Sequence, residues 1–409
     1  MVSTAVTAKR AATLAVIVAA LGYFVDIYDL ILFSMVRVPS LTELGVAPDQ
    51  QLAEFKHMLS MQMWGMLAGG ILWGVIGDKR GRLSVLFGSI TLYSIANIAN
   101  GMVHSLEAYG VWRLIAGIGL AGELGAGITL VSELMGKDRR GYGTTVVAAL
   151  GVSGGILAGL IGGAFPDVPH PSWRVAYFVG GGLGLVLLIL RIGVVESGMF
   201  HAVRDKQVSR GNFLALFTSG KRFLRYIAVI LVGVPIWFVI AIPVSASKEL
   251  GGALGLQPPP NPATATFFCY GACTIGGMAS GLLSQKLRSR RRALATFLGL
   301  TALSLVLYFS FGGTSVEVMY GLCAFIGFAS GYWAVFVSTA AELFGTNLRA
   351  TVTTTVPNFV RGSVPVLLAV WTGTVTSAIT VGAVVLVLAF AGLFVLEETF
   401  GVDLDFTEE

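Results

Sequence analysis

Charged residues are scarce in this chain. Asp, Glu, Lys and Arg make up only 12% of its 409 residues, whereas hydrophobic residues make up 55% and the mean hydropathy is +0.81. A soluble domain usually carries about twice that share of charge. The scarcity therefore excludes an ordinary soluble protein and predicts a chain that lies in a lipid bilayer.

Cysteine and histidine are also rare, at three and four residues. Cys269, Cys273 and Cys323 all fall inside apolar stretches, so no disulfide framework is predicted. Glycine-rich matches to the dinucleotide and hydrolase motifs, at 117–122 and 151–155, also lie inside apolar stretches and lack the strand that such motifs need. We predict no catalytic residues, no metal site and no cofactor, and hence no enzyme.

Long apolar stretches are what the sequence has in abundance. A membrane-spanning helix needs about 20 predominantly apolar residues. Breaks at charged, Pro and Gly positions define twelve such stretches, which we call spans 1 to 12. They are residues 11–36, 56–77, 83–102, 107–134, 142–165, 173–195, 222–246, 263–285, 292–312, 316–343, 351–373 and 376–396.

The chain also repeats itself. Ser132-Glu133-Leu134-Met135-Gly136 recurs as Ala341-Glu342-Leu343-Phe344-Gly345, and a glycine-led loop at 74–82 recurs in degraded form at 281–289. Repeats at nearly the same offset indicate duplicated six-helix halves. We predict an all-α membrane protein with an N-terminal six-helix bundle, a cytoplasmic linker, a C-terminal six-helix bundle and a cytoplasmic tail. Their bounds are 1–196, 197–221, 222–396 and 397–409.

The distribution of Lys and Arg predicts the orientation. With the N-terminus inside, all but six of the 27 basic residues lie on the cytoplasmic side, among them the 191–225 segment. The basic pI of about 9.1 therefore reflects membrane insertion, and no nucleic acid is needed to explain it. We expect a plasma-membrane protein, in the inner membrane if the source is bacterial, with both termini cytoplasmic.

The segment GVIGDKRGR at 74–82 resembles the loop between helices 2 and 3 of major facilitator transporters. Every motif position matches: Gly74, Asp78, Lys79, Gly81 and Arg82. RLIAGIGLAG at 113–122, ELFGTNLRAT at 342–351 and the tail at 398–401 are similar to other family motifs. The resemblance implies two bundles that face a central cavity and work by alternating access, with Asp78 accepting from the start of span 11 and thereby latching the halves.

Within that superfamily, Gly122-Glu123 and the Asp26-Asp29 pair look most like metabolite:proton symporters and the phosphate and sialate porters. Small residues recur every four positions at 151–163 in span 5 and at 272–284 in span 8, a pattern that allows close helix packing. The resemblance implies that spans 5 and 8 meet at the interface between the bundles.

Charged residues inside spans are costly in lipid and usually mark ion or substrate paths. Five stand out: Asp26, Asp29, Arg113, Glu123 and Arg361. As a hypothesis, Asp26, Asp29 or Glu123 carries a coupling proton, because a carboxylate shielded from water can bind and release one near neutrality. Arg361, with Arg113, would bind an anion. The alternative is that the five pair among themselves as structural ion pairs.

Less specific candidates to line the same cavity are aromatic or amide side chains, namely Tyr23, Tyr28, Trp237, Trp333 and Asn358. We predict proton-coupled symport of a small organic anion of the carboxylate type by a monomer in the bilayer, with the proton as the coupling ion. A proton-driven exporter of cations or drugs, an uncoupled facilitator and a membrane sensor on a carrier scaffold are the alternatives.

Overall fold

The computed structural model describes residues 2–135, 140–165, 167, 169–191 and 211–408, and of residues 2–12, 15 and 140 it describes the backbone alone. These residues are mostly helical and form no strand. Helices satisfy every backbone hydrogen bond within one segment, which is what a chain in lipid requires. The predicted all-α fold is confirmed.

Eleven helical segments of the described residues are long and apolar enough to cross a membrane. They correspond to spans 1 to 10 and 12. Their bounds are Val16–Glu43, Gln51–Arg80, Arg82–Asn100, Leu106–Leu134, Gly141–Ile161, Trp173–Leu190, Gly220–Val244, Pro262–Leu287, Arg290–Phe311, Val316–Glu342 and Val375–Val395. Span 11 is a broken helix, Arg349–Gly362 followed by Val364–Val370, so it completes the twelve as two shorter pieces.

Several other spans are interrupted near mid-length. Span 4 consists of Leu106–Leu120 and Glu123–Leu134, and span 5 of Arg140–Val152 and Gly154–Ile161. Each break falls at small residues. Such a break is tolerated in lipid because neighbouring helices can satisfy the freed backbone groups. Span 7 ends in a π-helix, Ile240–Val244. These breaks bring backbone carbonyls into the protein interior.

Span boundaries differ from the predicted ones mainly at charged ends. Spans 1 and 2 extend through Arg37 and Lys56, because a charged side chain at the membrane surface does not end a helix. Two predicted features lie outside the described residues: the end of span 6 at 195 and most of the linker 197–221. The last part of the linker is described and holds a short 3₁₀ turn, Phe213–Leu216. The domain bounds remain predictions.

Spans 5 and 8 pack against each other across the two bundles. A Cβ added at Gly155 would lie 2.6 Å from the Tyr270 ring, and one at Gly159 would lie 2.7 Å from Phe267. The stripe of small residues at 272–284 in span 8, however, does not face span 5. Ser280 donates to the Gly331 carbonyl at 2.9 Å, so that stripe faces span 10.

The two ends of the molecule differ in charge. We call the end that carries the loops at 79–82 and 286–292 the basic end, and the other the opposite end. Span 1 begins at the basic end and the tail packs there as well: the Thr346 N–H donates to the Phe406 carbonyl at 2.8 Å, and Arg225 lies 3.2 Å from Glu408. Both termini therefore lie at the same end.

Candidate functional site

Arg361 lies in span 11 where the two bundles meet. Its guanidinium carbon lies 5.3 Å from the centre of the Trp333 ring and 5.6 Å from that of Trp237. Its Nη2 lies 3.9 Å from Asp26 Oδ2 of span 1, and its Nη1 donates to Asn358 at 3.2 Å. Among the described residues, Nε and Nη2 of Arg361 and both oxygens of Asp26 have no hydrogen-bond partner. A buried cation thus keeps two donors free beside a loosely paired carboxylate.

Asn358 joins the bundles next to this group. Its Nδ2 donates to the Ala121 carbonyl of span 4 at 2.8 Å and to the Thr354 carbonyl at 2.7 Å. Ala121 follows directly after the first helix of span 4, so the break frees its carbonyl for a neighbour. Gly70 of span 2 makes the approach possible, since a Cβ there would lie 2.8 Å from Asn358 Cβ. The Asn358 amide is thus anchored to the other bundle while its oxygen orients Arg361 on the same helix.

Arg113 is held inside the N-terminal bundle. It donates to Gln62 of span 2 and, at 3.3 Å, to the Tyr177 hydroxyl of span 6, and its guanidinium lies 4.9 Å from the Phe33 ring centre. The Asp29 carboxylate is buried without a hydrogen-bond partner among the described residues and lies against Gly180 of span 6, where an added Cβ would overlap it. Asp26 thus faces Arg361 of the other bundle, whereas Asp29 faces span 6 of its own bundle.

Glu123 is paired with an arginine that the sequence assigned to a cytoplasmic segment. Arg191, at the end of span 6, forms an ion pair with Glu123 and also donates to the Leu86 carbonyl. Both side chains are buried, and Gly22 of span 1 leaves the room that the Glu123 carboxylate occupies. Arg191 lies within predicted span 6 and was counted with the cytoplasmic 191–225 segment; the structure places its side chain in the interior of the N-terminal bundle. In the sequence, a charged residue so close to the end of a span can belong either to the membrane helix or to the segment that follows it.

Two tyrosines, from spans 1 and 8, pack on glycines of span 5 at the contact between the bundles. Tyr23 packs on Gly151 of span 5, and Tyr270, which the sequence did not single out, is buried with a hydroxyl that has no partner among the described residues. Tyr28 instead donates to the Ala176 carbonyl at 2.8 Å, between spans 1 and 6. Tyr270 was missed because an uncharged aromatic in a span carries no cost that marks it.

Gln62 was missed as well, although it carries a signal. It is a fully buried amide in the middle of span 2, and a polar amide in that position requires a partner in lipid. Its pairing with Arg113 meets that requirement.

The loop motif lies at the basic end, against the start of span 11. Asp78 accepts from the backbone N–H groups of Ala350 and Thr351 at 3.1 and 2.8 Å. Gly74 allows the contact, because a Cβ there would lie 2.9 Å from Thr351 Cα, and Gly81 turns the chain with φ of +101°. The carboxylate thus satisfies helix-start donors of the other bundle.

A buried ion cluster supports this contact. Glu133 of span 4 lies 2.7 Å from Arg82 and 3.3 Å from Arg349 of the C-terminal bundle. Lys79 is exposed. Charges at this depth are stable only when paired, so the cluster ties the bundles together while they are closed at the basic end.

The bundles also touch at the opposite end. Arg37 of span 1 lies 2.8 Å from Glu249, which follows span 7, and stacks 4.4 Å from the Phe55 ring centre. Lys56 donates to the Trp371 carbonyl at 2.7 Å. Together with the basic-end contacts, these enclose the Arg361 group on both sides.

Comparison with known proteins agrees with this architecture. The chain is similar to a putative metabolite transport protein of Haemophilus influenzae, 27% identical over 428 aligned residues that cover 96% of this chain and 97% of that one. It is similar to the 3-(3-hydroxy-phenyl)propionate transporter of Escherichia coli, 26% identical over 298 residues, 72% and 71% of the two chains.

In fold, it matches the structure of the proton:xylose symporter XylE bound to 6-bromo-6-deoxy-D-glucose with a TM-score of 0.74, at 16% identity over 97% of this chain and 98% of that one. The family model of the Major Facilitator Superfamily matches residues 14–369. The predicted identity as a non-enzymatic membrane transporter is confirmed: the chain belongs to the Major Facilitator Superfamily.

Proposed function

We propose that this transporter carries a small organic anion of the carboxylate type together with a proton, by alternating access. The observation that carries the proposal is the Arg361 group. Two guanidinium donors lie free beside Asp26, at the contact between the bundles and enclosed on both sides. A guanidinium with two free donors binds a carboxylate bidentately.

Coupling follows from competition for one cation. Asp26 lies 3.9 Å from Arg361 and has no hydrogen bond of its own among the described residues. A substrate carboxylate on Nε and Nη2 would withdraw the attraction that favours the ionised form of Asp26, so Asp26 would take up a proton from the side that is open. Release of the substrate returns Arg361 to Asp26, which then loses its proton to the other side.

The two indole rings support an aromatic carboxylate as the first substrate class to test. Trp237 and Trp333 flank Arg361, so a flat ring attached to the carboxylate would lie against aromatic walls. The name of the Escherichia coli relative, a 3-(3-hydroxy-phenyl)propionate transporter, describes a substrate of that chemistry.

The membrane placement is part of the proposal. The basic end would face the cytoplasm because Lys and Arg in short loops remain inside. Both termini would then be cytoplasmic and the transporter would work as a monomer in the plasma membrane, the inner membrane of a bacterium. The opposite end would receive the substrate.

The test is uptake into proteoliposomes under an inward proton gradient. The panel holds aromatic and aliphatic monocarboxylates, amino acids, sugars, phosphate and organic cations. We expect accumulation of a carboxylate that stops when the gradient is collapsed. Arg361→Gln should weaken binding by at least about 30-fold, the cost of about 2 kcal/mol for a charge-assisted bidentate contact. Asp26→Asn should still exchange substrate but no longer accumulate it.

Arg174→Gln serves as the control, since Arg174 pairs with Glu43 at the opposite end and is partly exposed. Gradient-driven movement of cations alone would indicate that the protein is an exporter and not a symporter. Uptake that ignores the gradient would indicate a facilitator, and binding without movement a sensor. Each of these results would contradict the proposal.

A further inference from the structure

A groove of about 700 Å³ opens at the basic end, between the start of span 9, the end of span 12 and the loop that joins spans 8 and 9. Its rim is cationic: Arg288, Arg291 and Arg292. Its floor is apolar: Ala295, Phe390 and Phe394. The Arg361 group contributes no residue to it, so the groove is a feature separate from the proposed transport site.

The arginines of this loop have divided roles. Arg290 turns inward and binds Glu342 at 2.9 Å, whereas Arg288 and Arg292 are exposed and Arg291 is half-buried. Arg291 makes a long contact, 3.3 Å, to the Phe394 carbonyl. Three guanidinium groups thus surround one opening and retain donors for an anion.

An acidic residue also lines the groove, but its oxygens are already occupied. Glu398 accepts from the Ser289 hydroxyl, from the Arg290 N–H at 2.8 Å and from the Phe400 N–H at 2.9 Å. Its charge is therefore directed at the start of span 9. With three arginines and one glutamate on the lining, the net charge of the groove is positive.

The apolar floor distinguishes this groove from a site for a soluble anion. Phe394 is 85% exposed and Phe390 is 43% exposed, on a helix that crosses the membrane. They are four residues apart, so their rings follow the membrane normal over about 6 Å. A cationic rim at the membrane surface with an apolar wall leading into the bilayer complements a molecule that is anionic at one end and apolar at the other.

We propose that the groove binds an anionic phospholipid of the leaflet at the basic end. The phosphodiester would lie among Arg288, Arg291 and Arg292, and the first methylene groups of an acyl chain would lie along Phe394 and Phe390. Basic pockets between membrane helices bind such headgroups, with about 1 kcal/mol from each Lys or Arg near the surface.

The test is native mass spectrometry of the full chain in detergent, titrated with phosphatidylglycerol. We expect a first lipid adduct that phosphatidylcholine does not reproduce. Arg291→Gln/Arg292→Gln should weaken that adduct about 30-fold at low salt. Ala295→Trp fills the groove without changing its charge, and should also remove the adduct.

The matched control is Arg80→Gln/Lys221→Gln, which removes the same charge from exposed positions at the same end that do not line the groove; the exposed Lys221 pairs only loosely, at 3.8 Å, with Glu397. It should leave the first adduct unchanged. Equal weakening in the control would show general attraction of anionic lipid and overturn the proposal. Binding of sn-glycerol 3-phosphate with the same affinity as the lipid would overturn it too, in favour of a soluble phosphate. An adduct that survives both groove variants would place the lipid elsewhere.

Discussion

The substitution Asp78→Asn should raise the population of the state that is open at the basic end by about 30-fold. Asp78 accepts from two N–H groups of the other bundle, Ala350 at 3.1 Å and Thr351 at 2.8 Å. Asparagine keeps one acceptor oxygen and turns an N–H₂ group toward the other donor, so one charge-assisted bond is lost and the second becomes neutral. At about 1.5–3 kcal/mol for a bond to a charged group, we expect a loss of about 2 kcal/mol. Arg82 keeps its closer partner Glu133, so little is added there.

The assay uses a cysteine that only the open basic end exposes. Ser338 is buried and donates to Thr144 of the other bundle at 2.8 Å. Its replacement by Cys, in a chain whose three buried native cysteines are changed to Ala, reports opening as the rate of alkylation by a maleimide. When closing is fast, that rate follows the population of the open state.

Asp49→Asn is the control, because Asp49 is an exposed acid in the loop at the opposite end. We expect it to leave the alkylation rate unchanged. The reasoning is refuted if Asp78→Asn labels no faster than the parent, or if both variants label faster by the same factor. A lower Tm with no change in labelling would also refute it, since Asp78 would then stabilise the fold rather than one conformation.

Three further predictions concern single contacts. Glu123→Gln leaves Arg191 as an uncompensated buried charge and should lower the free energy of unfolding by about 3–5 kcal/mol, while addition of Arg191→Met should restore most of it, as thermal unfolding in detergent would show. Gly155→Val places side-chain atoms where Tyr270 packs, so uptake should fall at least tenfold while the chain still inserts, which separates uptake from surface expression. The third prediction concerns the pKa of Glu398. Burial raises this pKa, but hydrogen bonds from the start of span 9 outweigh burial and lower the pKa below its usual value. The ionised form therefore stabilises the fold above the pKa of about 4.3 in the unfolded chain, and this contribution is lost as the pH falls through the lowered pKa. Glu398→Gln should thus lower Tm at pH 7 by an amount that vanishes in acid.

The membrane architecture was predictable because lipid imposes a simple length rule. Twelve apolar stretches, their charge asymmetry and the loop motif followed from local sequence alone. Span 11 departs from the rule because Pro365 lacks a backbone N–H donor, and the helix breaks at Ser363 into two pieces that are each short for a membrane span.

The pairing of buried charges could not be predicted in the same way. Asp26 and Asp29 are three residues apart on one helix, yet Asp26 faces Arg361 of span 11 and Asp29 lies against Gly180 of span 6. Their partners are set by which spans happen to adjoin each carboxylate, a contact between residues far apart in the chain. Arg191, one residue beyond the end of its helix, was predicted to lie near the end of span 6, but no local pattern indicates that Glu123 lies within reach.

The two ends of the interface are unequal, and the difference has a consequence for the order of opening. At the basic end, Asp78 binds two backbone donors and Glu133 joins Arg82 to Arg349, all of them buried. At the opposite end, the Arg37 ion pair uses a glutamate whose side chain is 19% exposed, and the other contacts have uncharged acceptors: Lys56 donates to the Trp371 carbonyl and Thr264 to the Ala164 carbonyl. Partly exposed pairs are screened and contribute less than buried ones. Since opening requires that one set break while the other holds, we expect the empty transporter to open first at the opposite end, the side from which an uptake symporter would take its substrate and its proton.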